Sequence, residues 1–306
     1  MSAVRRPATD RRLFIGIAVA RYRAFAVLWG VALGLVACVA PPDQRLAQAG
    51  ADFNDTALSA DDIRVVDWNI KKAQAAEWTG SRGRATVVEL FREADLVTLQ
   101  EVCAPVADGS LRERLAAAQL SGVFAASFSA PVLGCGSGRA TGVLTASRVA
   151  PIRRTALVSQ HREFGLTPKI SLATTYPIAD RKQRLLVINA HLLNFEWLTL
   201  DDYSDQLAAI GAVLQKHTGP IVLAGDMNSR NAWRTRLLET IVDQAGLRAV
   251  FDANDQARTR AVIGGNKPLD HIYYRGLSIT TPGRIGAEAA TEVSDHNSLS
   301  VRFAYP

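Results

Sequence analysis

Cysteine is scarce in this chain: Cys38, Cys103 and Cys135 are the only three among 306 residues, with no Cys-x-x-Cys pair and no ordered cysteine–histidine spacing. A zinc site built on several thiolates is thereby excluded. The glycine signatures of nucleotide-binding folds are missing too. Neither Gly-x-Gly-x-x-Gly nor Gly-x-x-x-x-Gly-Lys occurs, so a Rossmann or P-loop site has no support. No internal repeat or low-complexity block interrupts the chain. Excess positive charge is also absent where it would count. The formal charge is +6, yet before Cys38 six arginines (Arg5, Arg6, Arg11, Arg12, Arg21, Arg23) stand against Asp10 alone, and the 29 basic and 28 acidic residues that follow nearly cancel. Bulk charge therefore gives no argument for nucleic-acid binding.

The longest apolar run, Ala24 to Ala37, has 14 residues, short of the ~20 that a spanning helix needs, although Val39 and Ala40 would lengthen it. Arginines followed by such a run read as the n-region and h-region of a leader. The run ends in Leu35-Val36-Ala37-Cys38, which resembles the bacterial lipobox, so lipid attachment at Cys38 is the first expectation. An uncleaved anchor and ordinary secretion are the alternatives. All three place the remainder outside the cytoplasm, in the cell envelope. The expected division is a leader over 1–37, a flexible tether rich in Ala, Pro, Gln and Asp over 38–61, and one domain over 62–306. In an oxidising compartment Cys103 and Cys135 are expected to form a disulfide, the alternative being two buried thiols.

What is present is a series of strands that turn polar at one end. Period and composition predict strands at 63–68, 95–100, 122–128, 141–146, 170–177, 184–190, 221–225, 269–274 and 299–303. Helices are predicted at 84–93, 111–120, 202–216 and 232–246, the third with Asp201 or Asp202 as its cap and Leu207, Ile210, Ala212 and Leu214 among its apolar positions. Six segments carry polar groups in order: Trp68-Asn69, Gln100-Glu101, Asn189 with His191, Gly225-Asp226-Met227-Asn228, Leu269-Asp270, and Ser294-Asp295-His296. Gly-Asp-x-Asn at a strand mouth places a carboxylate and an amide where backbone can approach a ligand. An Asp-His pair adds a hard oxygen ligand and a titratable imidazole.

This ordered set resembles the endonuclease/exonuclease/phosphatase superfamily, which includes DNase I, exonuclease III-type abasic endonucleases, neutral sphingomyelinases and inositol polyphosphate 5-phosphatases. Leu193-Asn194-Phe195, Asp202-Tyr203-Ser204, Gly219-Pro220, Pro268-Leu269-Asp270 and Tyr274-Arg275-Gly276-Leu277 further resemble its bacterial YafD-type branch. The resemblance implies an α/β four-layer sandwich, two packed mixed β-sheets flanked by helices. It also implies hydrolysis of phosphate esters with Mg²⁺ or Mn²⁺. A phosphodiester repels its nucleophile, and a divalent cation offsets the charge of the transition state. In the implied site Asn69, Glu101 and Asp295 are metal ligands, and Asp226 orients or deprotonates the attacking water. Asn228 donates to phosphoryl oxygens, and His296 acts as base or phosphate donor with Asp270 fixing its tautomer. His191 contacts the phosphate or protonates the leaving oxygen.

Other residues are expected outside the chemistry. His271 faces away from Asp270 in an extended strand, His161 and His217 are surface residues, and Lys169 is expected to be solvated, the alternative being a contact with the phosphate. Trp78, Trp197 and Phe195 are candidates for a substrate rim or for core. One departure bears on substrate: exonuclease III-type members carry Asn-x-Asp after the first strand, whereas Asn69-Ile70-Lys71 puts a lysine there. Abasic-site repair is disfavoured. Extracellular nucleic acid, a phospholipid or a small phosphodiester remain as substrates. A silent metal-binding protein tethered at the membrane, or a nuclease acting inside the cell, are the competing readings.

Overall fold

The computed structural model describes residues 45–49, 52–73, 81–104, 110–130, 135–136, 138–195, 201–252, 268–287 and 293–306. Cys38, Trp78 and Trp197 lie outside them. Thirteen strands and four α-helices are formed among these residues. They follow the order β1 (Leu46–Ala49), β2 (Ile63–Asn69), α1 (Ser81–Arg92), β3 (Leu96–Ala104), α2 (Ser110–Ala117), β4 (Ser121–Ser129), β5 (Ala140–Ser147), β6 (Arg153–Glu163), β7 (Thr167–Pro177), β8 (Arg184–His191), α3 (Asp201–Lys216), β9 (Ile221–Asp226), α4 (Ala232–Gln244), β10 (Arg248–Ala249), β11 (Asp270–Arg275), β12 (Ser278–Ile285) and β13 (Leu299–Ala304).

Two mixed sheets result, in the orders β1-β4-β5-β3-β2-β13-β12 and β10-β11-β9-β8-β7-β6. Each contains one parallel pair, β2 with β3 and β8 with β9. Alternation of side chains along the central strands sorts residues into layers. Ile63, Val65 and Leu96 of one sheet meet Leu185, Val187, Val222, Ala224 and Ile272 of the other. Their neighbours Val66, Trp68, Val97 and Leu99 pack outward with Val87 and Phe91 of α1 and Leu111 and Leu115 of α2. Leu186, Ile188, Ile221 and Leu223 pack with Tyr203, Leu207, Ile210 and Leu214 of α3 and Leu238 and Val242 of α4. This is the expected helix–sheet–sheet–helix sandwich. Within α3, Ala212 is exposed and Tyr203 takes a core place instead. Asp201 and Asp202 lie in its first turn, where negative charge suits the helix dipole.

The expected tether needs correction over its described part. Leu46–Ala49 pairs antiparallel with β4. Beyond it Leu58 is buried, Asp55 bridges Val149 and Leu58 bridges Ile178. Buried Leu58 and the backbone bonds from Asn54 and Asp55 to Arg148 and from Leu58 to Pro177 hold this stretch on the domain. β3 also runs past its predicted end at Gln100, continuing through a bulge between Leu99 and Val102 to Ala104. That extension carries Cys103 to Cys135, and the expected disulfide is formed, with Cα atoms 5.6 Å apart.

Candidate active site

The face between the sheets is apolar for most of its length and turns polar at one end. On β2 the inward series runs Ile63, Val65, Asp67, Asn69; on β8, Leu185, Val187, Asn189, His191; on β9, Val222, Ala224, Asp226. The parallel pairs end at the same edge of the sandwich, β11 begins there with Asp270, and the loop before β13 delivers Ser294, Asp295 and His296. Strand parity thus brings side chains of β2, β8 and β9 to one edge, where the start of β11 and the loop before β13 meet them.

Asp226 is buried; its Oδ1 accepts from the Asn228 backbone at 3.0 Å and its Oδ2 from Asn69 Nδ2 at 3.0 Å. Burial first, then repulsion from Asp270, raises its pKa to about 6. Asp270 holds His296 through Nδ1, with Oδ1 and Oδ2 at 3.0 and 2.8 Å. Burial alone would depress the His296 pKa. The Asp270 carboxylate overrides it through charge and hydrogen bond, with Asp226 and Asp295 adding, and lifts the pKa to about 9. At neutral pH this imidazole is a cation and a proton donor. His191 is the opposite case: burial, then Lys169, pushes its pKa well below the ordinary value, so it stays neutral. Its Nε2 lies 3.2 Å from Lys169 Nζ and 3.9 Å from Asp226 Oδ2. The ammonium can only donate, which leaves Nε2 as acceptor and the proton on Nδ1.

Second contacts fix these groups in place. Trp68 Nε1 donates to His296 O at 2.8 Å, and Ser294 Oγ to Asn69 O at 2.7 Å, tying the Ser-Asp-His loop to the end of β2. Gln206 of α3 donates to His191 O and accepts from Leu193 N. Buried Arg234 of α4 donates to Leu193 O and Asn228 O at 2.7 and 3.0 Å. Asn228 Nδ2 donates to Leu192 O at 2.9 Å, so one of its amide hydrogens serves the turn. Behind the site Asp67 accepts from Thr98 Oγ1 and Gln100 Nε2. Its pKa is raised well above the usual range by burial, Thr98 opposing and Asp270 and Asp226 adding.

Asp226, Asp270 and His296 each offer a ligand atom within 4.8 Å of the others. Glu101 and Asp295, expected as ligands, stand outside that cluster. Glu101 sits on the β3 bulge with φ 54° and lines the adjoining cavity with His191 and Lys72, while Asp295 lies 3.6 Å from Lys71 Nζ. A buried carboxylate such as Asp226, raised in pKa by burial and by the neighbouring Asp270, is what a bound cation relieves, and hard oxygen donors suit Mg²⁺ or Mn²⁺. The residues present fit a divalent cation.

Lys169 needs correction. It is largely buried and lies 3.4 Å from Glu163 Oε2 and beside His191, at the cavity wall instead of in solvent. His271 does face away: Ser229 Oγ and Tyr273 Oη bracket its ring nitrogens at 2.8 and 3.0 Å, and burial lowers its pKa to about 4. His161 stands between Asp202 and Asp205 at 2.9 and 2.8 Å, and His217 reaches Arg184 O, both partly exposed and away from the site residues. Sequence reasoning gives no site role to Asp67, Ser294 or Arg234, and offers Lys169 a phosphate contact only as the lesser alternative to a solvated side chain. Inward parity on β2 is the available signal for Asp67; the others depend on contacts across 22 to 225 residues of chain.

Comparison with known proteins agrees with this fold. The Endonuclease/Exonuclease/phosphatase family matches residues 68–296. A UPF0294 protein of Klebsiella pneumoniae is 35% identical over 250 residues, covering 81% of this chain and 85% of its own. Among solved structures, an endonuclease/exonuclease/phosphatase from Beutenbergia cavernae aligns with TM-score 0.62 at 18% identity, covering 80% of this chain and 72% of its own. The human nocturnin catalytic domain with bound sulfate aligns with TM-score 0.57 at 19% identity, covering 83% and 97%.

Proposed function

From the chain's membership of the endonuclease/exonuclease/phosphatase family, a family of phosphate-ester hydrolases, we propose that it is a divalent-metal-dependent phosphodiesterase of the cell envelope. The observation that carries the reading is the pairing of two opposite electrostatic states in one cluster: Asp226, a carboxylate able to take a proton near neutrality, beside His296, an imidazolium held by Asp270. Groups whose surroundings push their pKa values to opposite roles are the signature of acid–base work.

Asn69, Glu101 and Asp295 would hold Mg²⁺ or Mn²⁺ beside the Asp226–Asp270–His296 cluster, to which Asn69 is joined by its bond to Asp226. When bound, the cation supplies charge neutralisation at the phosphoryl oxygens. Asp226, its Oδ2 fixed by Asn69, orients the attacking water and takes its proton. His296, already protonated, donates to a phosphoryl oxygen, so the structure favours the donor role over the base role. Neutral His191 with Lys169 beside it presents positive charge at the other flank, where the leaving oxygen develops its own charge. The sulfate in the nocturnin neighbour is an anion of the same shape as the phosphoryl group. The envelope location rests on the Arg-rich leader, the Leu35–Cys38 sequence and the Cys103–Cys135 bond.

The test is product release from bis-p-nitrophenyl phosphate by the purified protein in Mg²⁺, Mn²⁺ or EDTA, with Asp226→Ala alongside. Turnover that needs the metal and falls by at least about 10³-fold in the variant is expected. Turnover that survives EDTA, or survives the substitution, would sink the proposal.

A further inference from the structure

We infer that the cavity beside the reacting groups receives one planar aromatic ring of the substrate, so that the ester cleaved is a nucleotide phosphodiester. The inference rests on the hydrolase reading above. The cavity, of about 250 Å³, opens directly from Glu101, His191 and Lys169 and is walled by Phe128, Leu166, Ile170, Phe164 and Phe195. Sites for drug-sized ligands run from roughly 300 Å³ upward, so this one takes a single small group next to the phosphate.

Its mouth is unusual for this molecule. Three large hydrophobic side chains are exposed among the described residues, and two of them, Phe164 at 49% and Phe195 at 43%, stand together here with ring centroids 5.0 Å apart. Both are mounted. Phe164 occupies the β6–β7 turn at φ 52°, a left-handed conformation that a residue with a side chain adopts only at a cost. The Phe195 amide is held by Glu163 Oε1, which also takes the Asn194 amide, and the Arg230 guanidinium lies 5.0 Å from the Phe195 ring while donating to Asn194 Oδ1. Rings fixed in advance lose little entropy when a flat group stacks on them, and an adjacent guanidinium strengthens that stacking.

Charge narrows the class. Lys72 and Lys169 line the cavity; of its two carboxylates, Glu163 is taken up by Lys169 and two backbone amides, and Glu101 is assigned above to the cation. The two ammonium groups favour an anionic ester at this wall. Two fatty chains exceed the volume, and a duplex keeps its bases stacked inside. A nucleotide in a single strand or a small diester meets every condition.

Equilibrium binding tests this without turnover. In an Asp226→Asn background of the full chain with Mg²⁺, adenosine 5′-monophosphate should bind about tenfold tighter than ribose 5-phosphate, and the ratio should collapse toward one in Phe195→Ala and in Phe164→Ala. The dinucleotide pTpT or a single-stranded dT12 should displace the mononucleotide, and the tighter competitor identifies the source. Equal binding of the two monophosphates, ratios unmoved in both variants, or preference for glycerophosphocholine or phosphatidylcholine vesicles would overturn the inference. Failure of the hydrolase reading shows separately, as absence of metal-dependent release from any ester by the unsubstituted protein.

Discussion

At the scale of single residues the site is defined by protonation states, and these make a prediction that needs no substrate. His296 titrates near 9 in the folded chain against an ordinary 6.5. The folded state therefore keeps a proton that the unfolded state gives up, and the associated stability is full below pH 6.5 and lost as pH rises toward 9. Chemical denaturation in EDTA should show wild-type stability falling across that window by about 3 kcal/mol. Asp270→Asn, which removes the first raising influence, should flatten the profile; a wild-type profile already flat from pH 6.5 to 9 would refute the assignment of His296 as an imidazolium. Asp226 acts in another window, since a carboxyl raised to about 6 loses stability for the fold as pH climbs from 3.8 to 6. Sequence alone points to Asn69, His191 and Asp226 as polar residues ending apolar strands, and to Asp270 and His296 through their order along the chain. For Lys169 it leaves phosphate contact as the lesser of two readings, because the lysine's place depends on an imidazole 22 positions away.

Elements show a sharper division. The nine strands read from the sequence occupy the interiors of the two sheets, and the four unread ones, β1, β12, β10 and β6, are the four sheet edges. The reason is physical. An edge strand is wetted along one side and carries charge or proline to deter further pairing, as in the exposed Arg153-Arg154 of β6 or Pro282 within β12. Periodicity is a record of burial, so it fades where burial does. The same logic explains why β9 is plain in the sequence and why its end is intolerant. Gly225 has φ 140°, and a Cβ there would meet Ala190 O at 2.0 Å across the β8–β9 pair. Gly225→Ala must push the central strands β8 and β9 apart at the point where they deliver His191 and Asp226. A loss of at least about 3 kcal/mol is expected, combining strain and overpacking. Urea unfolding would measure it, and a variant within about 1 kcal/mol of wild type would show that the strands yield more easily than this packing implies.

For the whole molecule the consequence lies at the N-terminal boundary. Hydropathy places the start of the domain at Ile63, because residues 38–61 offer few apolar side chains. Backbone hydrogen bonds do not require apolar side chains, and this segment uses them on both sheets. Asn54 and Asp55 donate to Arg148 O just after β5 of one sheet, Leu58 donates to Pro177 O at the end of β7 of the other, and Tyr305 donates back to Ala60 O. The segment straps the two sheets together at their shared margin, with Leu58 the most deeply buried apolar anchor among its described residues. It also brings the first strand to within eight residues of Cys38, a separation of at most about 29 Å if fully extended. If Cys38 bears the lipid, the domain works close to the membrane surface. A chain beginning at Ile63 should therefore be markedly less stable than one beginning at Cys38. Loss of Leu58 burial costs about 2 kcal/mol, and the forfeited β1 pairing and strap bonds add to it. A midpoint of thermal unfolding lower by about 10 °C follows for a domain of this size. Equal midpoints for the two chains would mean that the strap lies on the sandwich without holding it, and would restore Ile63 as the working boundary.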